Sequence, residues 1–218
     1  MGSETSNRQV STIGVFGAGR VGTAVARQAL RAGFAVSVTT GKPVREIELL
    51  VDITTPGARA ASAADAASSD LLVLAIPLHR YRSLDPNLFD GKVVIDAMNY
   101  WSLVDGVLPD FDDDSSSLVI QRHLQGARLV KSLNHIGYHD LEDDWRAAGA
   151  TDRRGLAVAG DDSSAKAVVA QFIERIGYDP IDAGPLRAGR TFEPGTEIFN
   201  GSHSAAQLEL LLHAARIH

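Results

Sequence analysis

The chain has 218 residues, 44% of them hydrophobic and 22% charged, with a net charge of −6 at pH 7 and no cysteine. Disulfides, zinc ribbons, iron–sulfur clusters and thiol catalysis are thereby excluded. With no Lys/Arg block there is no electrostatic footprint for nucleic acid or an anionic membrane, and no apolar run approaches the length of a spanning helix. One sizeable α/β core with a small appendage, in the cytoplasm, is the expectation.

Residues 1–9 read as a polar tail. MGSETS formally fits a myristoylation pattern, but no polybasic second signal follows and no anchor is expected. The apolar run at residues 13–16 then breaks into Gly17, Gly19 and Gly22, and an Ala-rich, helix-period segment over residues 20–32 ends at Gly33. A GxGxxG between a strand and a helix has the context of a dinucleotide fingerprint. Gly17 serves the tight turn, Gly19 the close approach of a pyrophosphate, and Gly22 the packing of helix on strand. The phosphates would sit on the free N–H groups of the helix start. Gly17, Ala18, Gly19, Arg20, Val21 and Gly22 are therefore expected cofactor contacts.

Residues 34–40 alternate and are rich in Val and Thr, as a second strand should be. An NAD site places an acid near its end for the ribose 2′-hydroxyl, but Thr39, Thr40, Gly41 and Lys42 stand here, with no acid before Glu46. Hydroxyls and an ammonium suit a 2′-phosphate. NADP is the expected cofactor, through Thr39, Thr40 and Lys42. A short helix follows over residues 43–53, then a brief edge strand at 59–62 and a small helical linker at 63–69. Residues 70–76 are Asp70 followed by an unbroken apolar run, the pattern of a strand buried on both faces, and Pro77 stops it.

Two more strands repeat this grammar at residues 92–96 and 127–131. Ligands of open parallel sheets bind outside the carboxyl ends of the strands, so the residues past these ends are expected to meet the nicotinamide. Ile76, Pro77, His79, Ala97, Met98 and Asn99 are the expected cofactor contacts, and Lys131, Asn134 and His135 the catalytic candidates. Individually, the histidines could also be satisfied surface residues and the asparagines turn formers. The acidic stretch at residues 110–117 reads as a solvated loop capping a helix at 118–124. It lacks the spacing of a calcium loop. His135 and His139 lack the HExxH glutamate, so no metal is expected.

Residues 156–159 resume the alternation as a strand, followed by a cap at 161–164, a helix at 165–176 ended by Gly177, and a last strand at 179–182. Two helices are expected over residues 192–218. Their Leu208, Leu211 and Leu212 suggest a homodimer. The expected fold is α/β, a Rossmann-type doubly wound, mostly parallel sheet over residues 10–183 with a small C-terminal helical portion over 184–218.

GAGRVG, VLAIP at residues 73–77, GKVVIDAMN at 91–99, ARLVKSLN at 127–134 and DAGPLRAGRTFEP at 182–194 together resemble the F-420-dependent NADP oxidoreductases. The ferric reductase portion of the STEAP proteins shares their domain. The resemblance implies NADP contacts from the sheet's loops and a deazaflavin, coenzyme F-420, stacked on the nicotinamide under the C-terminal part. The family commonly carries a Ser-Arg pair for the 2′-phosphate. Thr40 matches the Ser, but Gly41 stands where the Arg would be, with Lys42 next to it. Trp101 is placed to block a deazaflavin or to stack on it.

Hydride transfer between two heterocycles needs stacking and a dry pocket, with no acid–base dyad. A carbonyl or imine reductase would need a proton donor, for which Lys131, Asn134 and His135 stand ready. A flavin or ferric reductase, and a non-catalytic NADP-sensing module, are the other readings. The expected partner is a small-molecule substrate or deazaflavin, with no nucleic acid and no membrane.

Overall fold

The computed structural model describes residues 10–108, 111 and 115–215; the expected tail at 1–9, residues 110 and 112–114 of the acidic stretch and residues 216–218 lie outside them. The chain opens with β1 (Thr12–Phe16), α1 (Arg20–Arg31), β2 (Ala35–Thr39), α2 (Val44–Thr54) and the two-residue β3 (Arg59–Ala60). It continues through α3 (Ala63–Ala67), β4 (Leu71–Leu74), β5 (Val93–Asp96), α4 (Ser102–Asp105), α5 (Ser116–His123) and β6 (Arg128–Lys131). The remainder is α6 (Asp140–Asp143), β7 (Gly155–Gly160), α7 (Ser163–Arg175), β8 (Asp179–Gly184), α8 (Glu197–Asn200) and α9 (Ala205–Ala215).

One eight-stranded sheet runs in the order β3-β2-β1-β4-β5-β6-β7-β8. The first six strands are parallel, so the doubly wound Rossmann arrangement is present, with its switch point between β1 and β4. β3 is the edge strand that residues 59–62 promised. β7 joins β6 antiparallel, and β8 follows β7 in parallel, a reversal that nothing in the local pattern announced. Its cause is the connection over residues 132–154, which carries only the one-turn α6 and no full crossover helix.

The apolar runs split by parity across the sheet. Leu71 and Val73 pack with α1 and α7 on one face, through Val25, Ala29, Val169 and Phe172. Leu72 and Leu74 pack with α3 and α5 on the other, through Ala66, Val119 and Ile120. Between β4 and β5 the sequence offers Pro77 and Pro86 and no long helical period. The crossover is accordingly made by two 3₁₀ segments, Leu78–Ser83 and Pro86–Phe89, plugged into the core by Leu78, Tyr81 and Phe89. Another 3₁₀ segment, Leu186–Phe192, opens the C-terminal portion. α8 and α9 cover β7 and β8 through Ile198, Leu208 and Leu212. Two of the leucines that suggested a dimer are therefore spent on the sheet, and it is Leu210 that stands 72% exposed.

Several local signals are realised as capping contacts. Ser62 caps α3 by accepting from Asp65 N. Asp162 caps α7, accepting from Ser164 N and Ala165 N, and also takes Arg128 Nε of β6 at 2.6 Å. Those donors hold its carboxyl well below the usual carboxylate range, the Arg128 bond foremost. Among the described residues no helix is long and apolar enough to cross a membrane.

Asp162→Ala removes both the cap and the tie to β6. Chemical denaturation at pH 7 should show a loss of about 1–2 kcal/mol. Because the carboxylate is favoured in the folded state, that contribution is present above the ordinary Asp value of 3.8 and fades as the pH falls below it. The difference between variant and parent should shrink accordingly in acid.

Candidate functional site

Three glycines build the turn over the switch point, each for a separate steric reason. Gly17 has φ +126°, which L side chains avoid, and a Cβ there would overlap the Ala75 carbonyl past the end of β4. A Cβ on Gly22 would overlap the carbonyl oxygen of Gly17, so the first turn of α1 rests directly on the loop. A Cβ on Gly19 would meet nothing within 4 Å. Gly19 is also the N-cap of α1, with no side-chain cap and no acid in the first turn. Free N–H groups, the positive end of a twelve-residue helix and empty space above its cap fit a pyrophosphate. The exposed Arg20 leans over the Tyr138 ring, 5.5 Å from its centroid.

A cleft of about 390 Å³ runs from this loop to the end of β2. Gly17, Ala18, Gly19, Thr39, Thr40, Lys42, Ile76 and Pro77 all line it, bringing together eight of the expected cofactor residues. Thr40 Oγ1 accepts from Lys42 N at 3.1 Å, folding the strand end back on itself. His79 is placed elsewhere. Its Nδ1 lies 2.8 Å from Asp105 Oδ1, and that carboxylate also takes Trp101 N through Oδ2, so His79 ties the β4 loop to α4. Arg80, its neighbour, lines the cleft instead. The alternation of buried Leu78 and Tyr81 in the 3₁₀ segment was the available signal, but it required knowing that the segment was 3₁₀.

At the ends of β5 and β6 the polar residues are bound to one another. Asp96 and Lys131 are fully buried and face each other across the strands at 3.3 Å. Lys131 Nζ also donates to Met98 O at 2.5 Å and Ser116 Oγ at 3.2 Å, while Asp96 accepts from Ser117 Oγ and Met98 N. Lys131, expected as a catalytic candidate, thus presents no exposed ammonium. Its reach is internal because α5 covers that face of β6. Met98 likewise sends its side chain into the core, and Ala97 is buried, so this stretch offers a ligand mainly its backbone and Asn99.

Asn99 and Asn134 clasp each other. Asn99 Nδ2 donates to Asn134 O at 2.7 Å, and Asn134 Nδ2 donates to Asn99 Oδ1 and Phe192 O. His135 lies behind them, 4% exposed. Its Nε2 accepts from Ala157 N of β7 at 3.0 Å, which leaves the proton on Nδ1, 3.3 Å from Asn134 Oδ1. Burial, and then the positive charges of Arg154, Lys131 and His203, lower its pKa to about 3. A neutral imidazole spent on a β-strand amide is a poor acid at neutral pH. Leu133, just before, holds φ +64° though it is neither Gly nor Asn, a strain of the kind that gathers where surrounding contacts over-determine a loop.

On the open side of these loops Trp101 is 46% exposed and meets Phe199 of α8 edge-on, ring centroids 5.6 Å apart. Among the described residues no group of His, Asp or Glu has the arrangement of a metal site.

Residues 12–100 match the family described as NADP oxidoreductase, coenzyme F420-dependent. The hypothetical protein SMa0349 of Sinorhizobium meliloti has the same fold, with a TM-score of 0.78, 23% identity, and coverage of 90% of this chain and 96% of that one. A protein provisionally named an F420-dependent NADP-reductase, from Arthrobacter sp. FB24, gives a TM-score of 0.69 at 25% identity over 95% and 92% of the two chains. An imine reductase from Myxococcus stipitatus gives 0.57 at 16% identity, and the matched region spans 95% of this chain but 61% of that enzyme.

Two outcomes follow from the geometry. Gly19→Val should abolish dinucleotide binding in a fluorescence titration while thermal unfolding stays near the parent, since its side chain occupies only open space. Gly22→Ala should do the reverse first, lowering stability by about 1–3 kcal/mol through overpacking. For His135 the neutral form is favoured in the folded state, so its contribution is fully present above 6.5 and is lost as the pH falls from 6.5 towards 3. Between pH 7 and pH 5 the parent should lose about 2 kcal/mol that His135→Gln does not, by urea unfolding at each pH.

Proposed function

We propose that the protein is an NADP-dependent oxidoreductase that passes a hydride between NADP and a deazaflavin of the coenzyme F-420 type, a reading supported by the match of residues 12–100 to the family described as NADP oxidoreductase, coenzyme F420-dependent. One observation carries the choice of acceptor: the titratable side chains expected at the strand ends are spent inside the protein. Lys131 is committed to Asp96 and Met98, and His135 to the Ala157 amide. What faces outward is an indole beside a phenyl ring, with Asn99 and backbone. Flat aromatic surfaces suit a flat second ring, and hydride transfer between two ring carbons asks no side chain for a proton. Reduction of a carbonyl or an imine would ask for one.

The residues that would hold NADP are those of the cleft. The uncapped start of α1 binds the pyrophosphate, with Gly19 leaving room for it. Thr39, Thr40 and Lys42 close the adenosine end and Ile76 and Pro77 continue the lining, while beyond the cleft Asn99 and the backbone at Ala97 frame the other end. NADP, when bound, supplies or accepts the hydride. The chain's part is orientation and exclusion of water: the Asn99–Asn134 clasp fixes the floor, and Trp101 with Phe199 forms a wall that brings α8 over the opening.

Anaerobic mixing of NADPH with oxidised coenzyme F-420 should consume both chromophores in equal amounts. His135→Gln should slow the transfer by less than about a hundredfold, because loss of a true proton donor typically costs about a hundredfold to ten-thousandfold. A larger loss with unchanged NADPH affinity, or turnover of imines or ketones with none of the deazaflavin, would overturn the proposal.

A further inference from the structure

Arg80 stands in the 3₁₀ segment Leu78–Ser83 after β4, between the buried Leu78 and Tyr81. Its side chain crosses the mouth of the cleft to the end of β2. There its Nη2 lies 3.1 Å from where a Cβ on Gly41 would be, and it shares the cleft lining with Thr39, Thr40 and Lys42. Among the described residues no hydrogen bond or ion pair engages the guanidinium. Lys42 is the second cation at the same point. Two carboxylates also line the cleft, Glu46 and Asp85. Asp85 is occupied by Asn87 N at 3.1 Å and Asn87 Nδ2 at 2.8 Å.

An unneutralised guanidinium beside an ammonium and a hydroxyl, at the far end of a dinucleotide cleft, has the chemistry of a phosphomonoester site. The planar fork of an arginine matches phosphate oxygens in a way that a lysine does not. Gly41 matters as a space: it has no side chain, and a Cβ there would crowd the guanidinium, whose Nη2 lies 3.1 Å away. Resting on the reading of NADP as the cofactor, we infer that Arg80 sets the preference for NADPH over NADH, gripping the 2′-phosphate from the β4 side while Thr40 and Lys42 hold it from the β2 side.

Dissociation constants for NADPH and NADH, with adenosine 2′,5′-bisphosphate and 5′-AMP as competitors, test this in the whole chain. Arg80→Gln should weaken NADPH and the bisphosphate by about tenfold to hundredfold, the loss expected for a charge-assisted contact, and leave NADH and 5′-AMP unchanged. Arg80→Lys should recover part of the loss. Gly41→Val, with Arg80 intact, should push the guanidinium aside and narrow the preference in the same direction. Equal weakening of NADPH and NADH in Arg80→Gln would assign the side chain to the adenine and overturn the inference, as would an unchanged NADPH affinity. Should the unaltered protein bind both cofactors equally, the NADP reading itself falls and this inference with it. A preference that survives the loss of Arg80 removes only the inference.

Discussion

Lys131 and Asp96 stand opposite each other in register on β6 and β5, with no exposed surface on either side chain. Removing two charges from water costs several kcal/mol for each ion, and their attraction repays this only when the remaining donors and acceptors are satisfied. Here they are: Met98 supplies both an acceptor and a donor, Ser116 accepts from the ammonium, and Ser117 donates to the carboxylate. The pair therefore fixes the backbone past β5 and the first turn of α5 at once. Glu193 extends the linkage, because its Oε1 accepts from Ser115 Oγ, Ser116 N and Ser116 Oγ. The C-terminal portion is tied through it to the strand ends that it overhangs.

The two halves of the site are held by different physics. At the adenosine half the constraint is steric: Gly17 and Gly22 let backbone touch backbone, leaving the α1 terminus free for a ligand. At the other half it is a closed hydrogen-bond network in which Asn99, Asn134, His135 and the Ala157 amide each use one another. A fully satisfied buried network is rigid, and it holds Leu133 in a left-handed conformation that a Leu does not otherwise adopt. A rigid floor with an open aromatic wall suits reactions in which placement is the main demand on the protein.

The residues that reach furthest along the sheet follow the same logic. Arg153 and Arg154, almost completely buried, close the start of β7 by reaching carbonyls and carboxylates of Tyr178, Asp179, Asp144 and Gly201. In the long β6–β7 connection itself, Arg153 Nη1 satisfies the carbonyls of Arg146 and Ala147, and Arg154 Nη2 that of His135. The antiparallel entry of β7 depends on such side-chain caps, and its Ala157 amide then meets His135.

The glycine fingerprint, the apolar runs of β1, β4, β5 and β6, the Asp162 cap and the stop at Gly177 were legible in the sequence, because each is decided within a few residues by sterics, side-chain period or a nearby donor. The family resemblance was legible largely for the same reason: most of its motifs lie in those strands and the turns between them. The direction of β7 was not legible, since a strand reads alike both ways and its sense is set by where a distant connection packs. Nor was the fate of Lys131 and His135, whose types invite chemistry but whose burial depends on α5 and β7 folding over them. The exchange of His79 for Arg80 at the cleft turned on one residue of phase in a 3₁₀ segment, and only the packing of Leu78 and Tyr81 into the core set that phase.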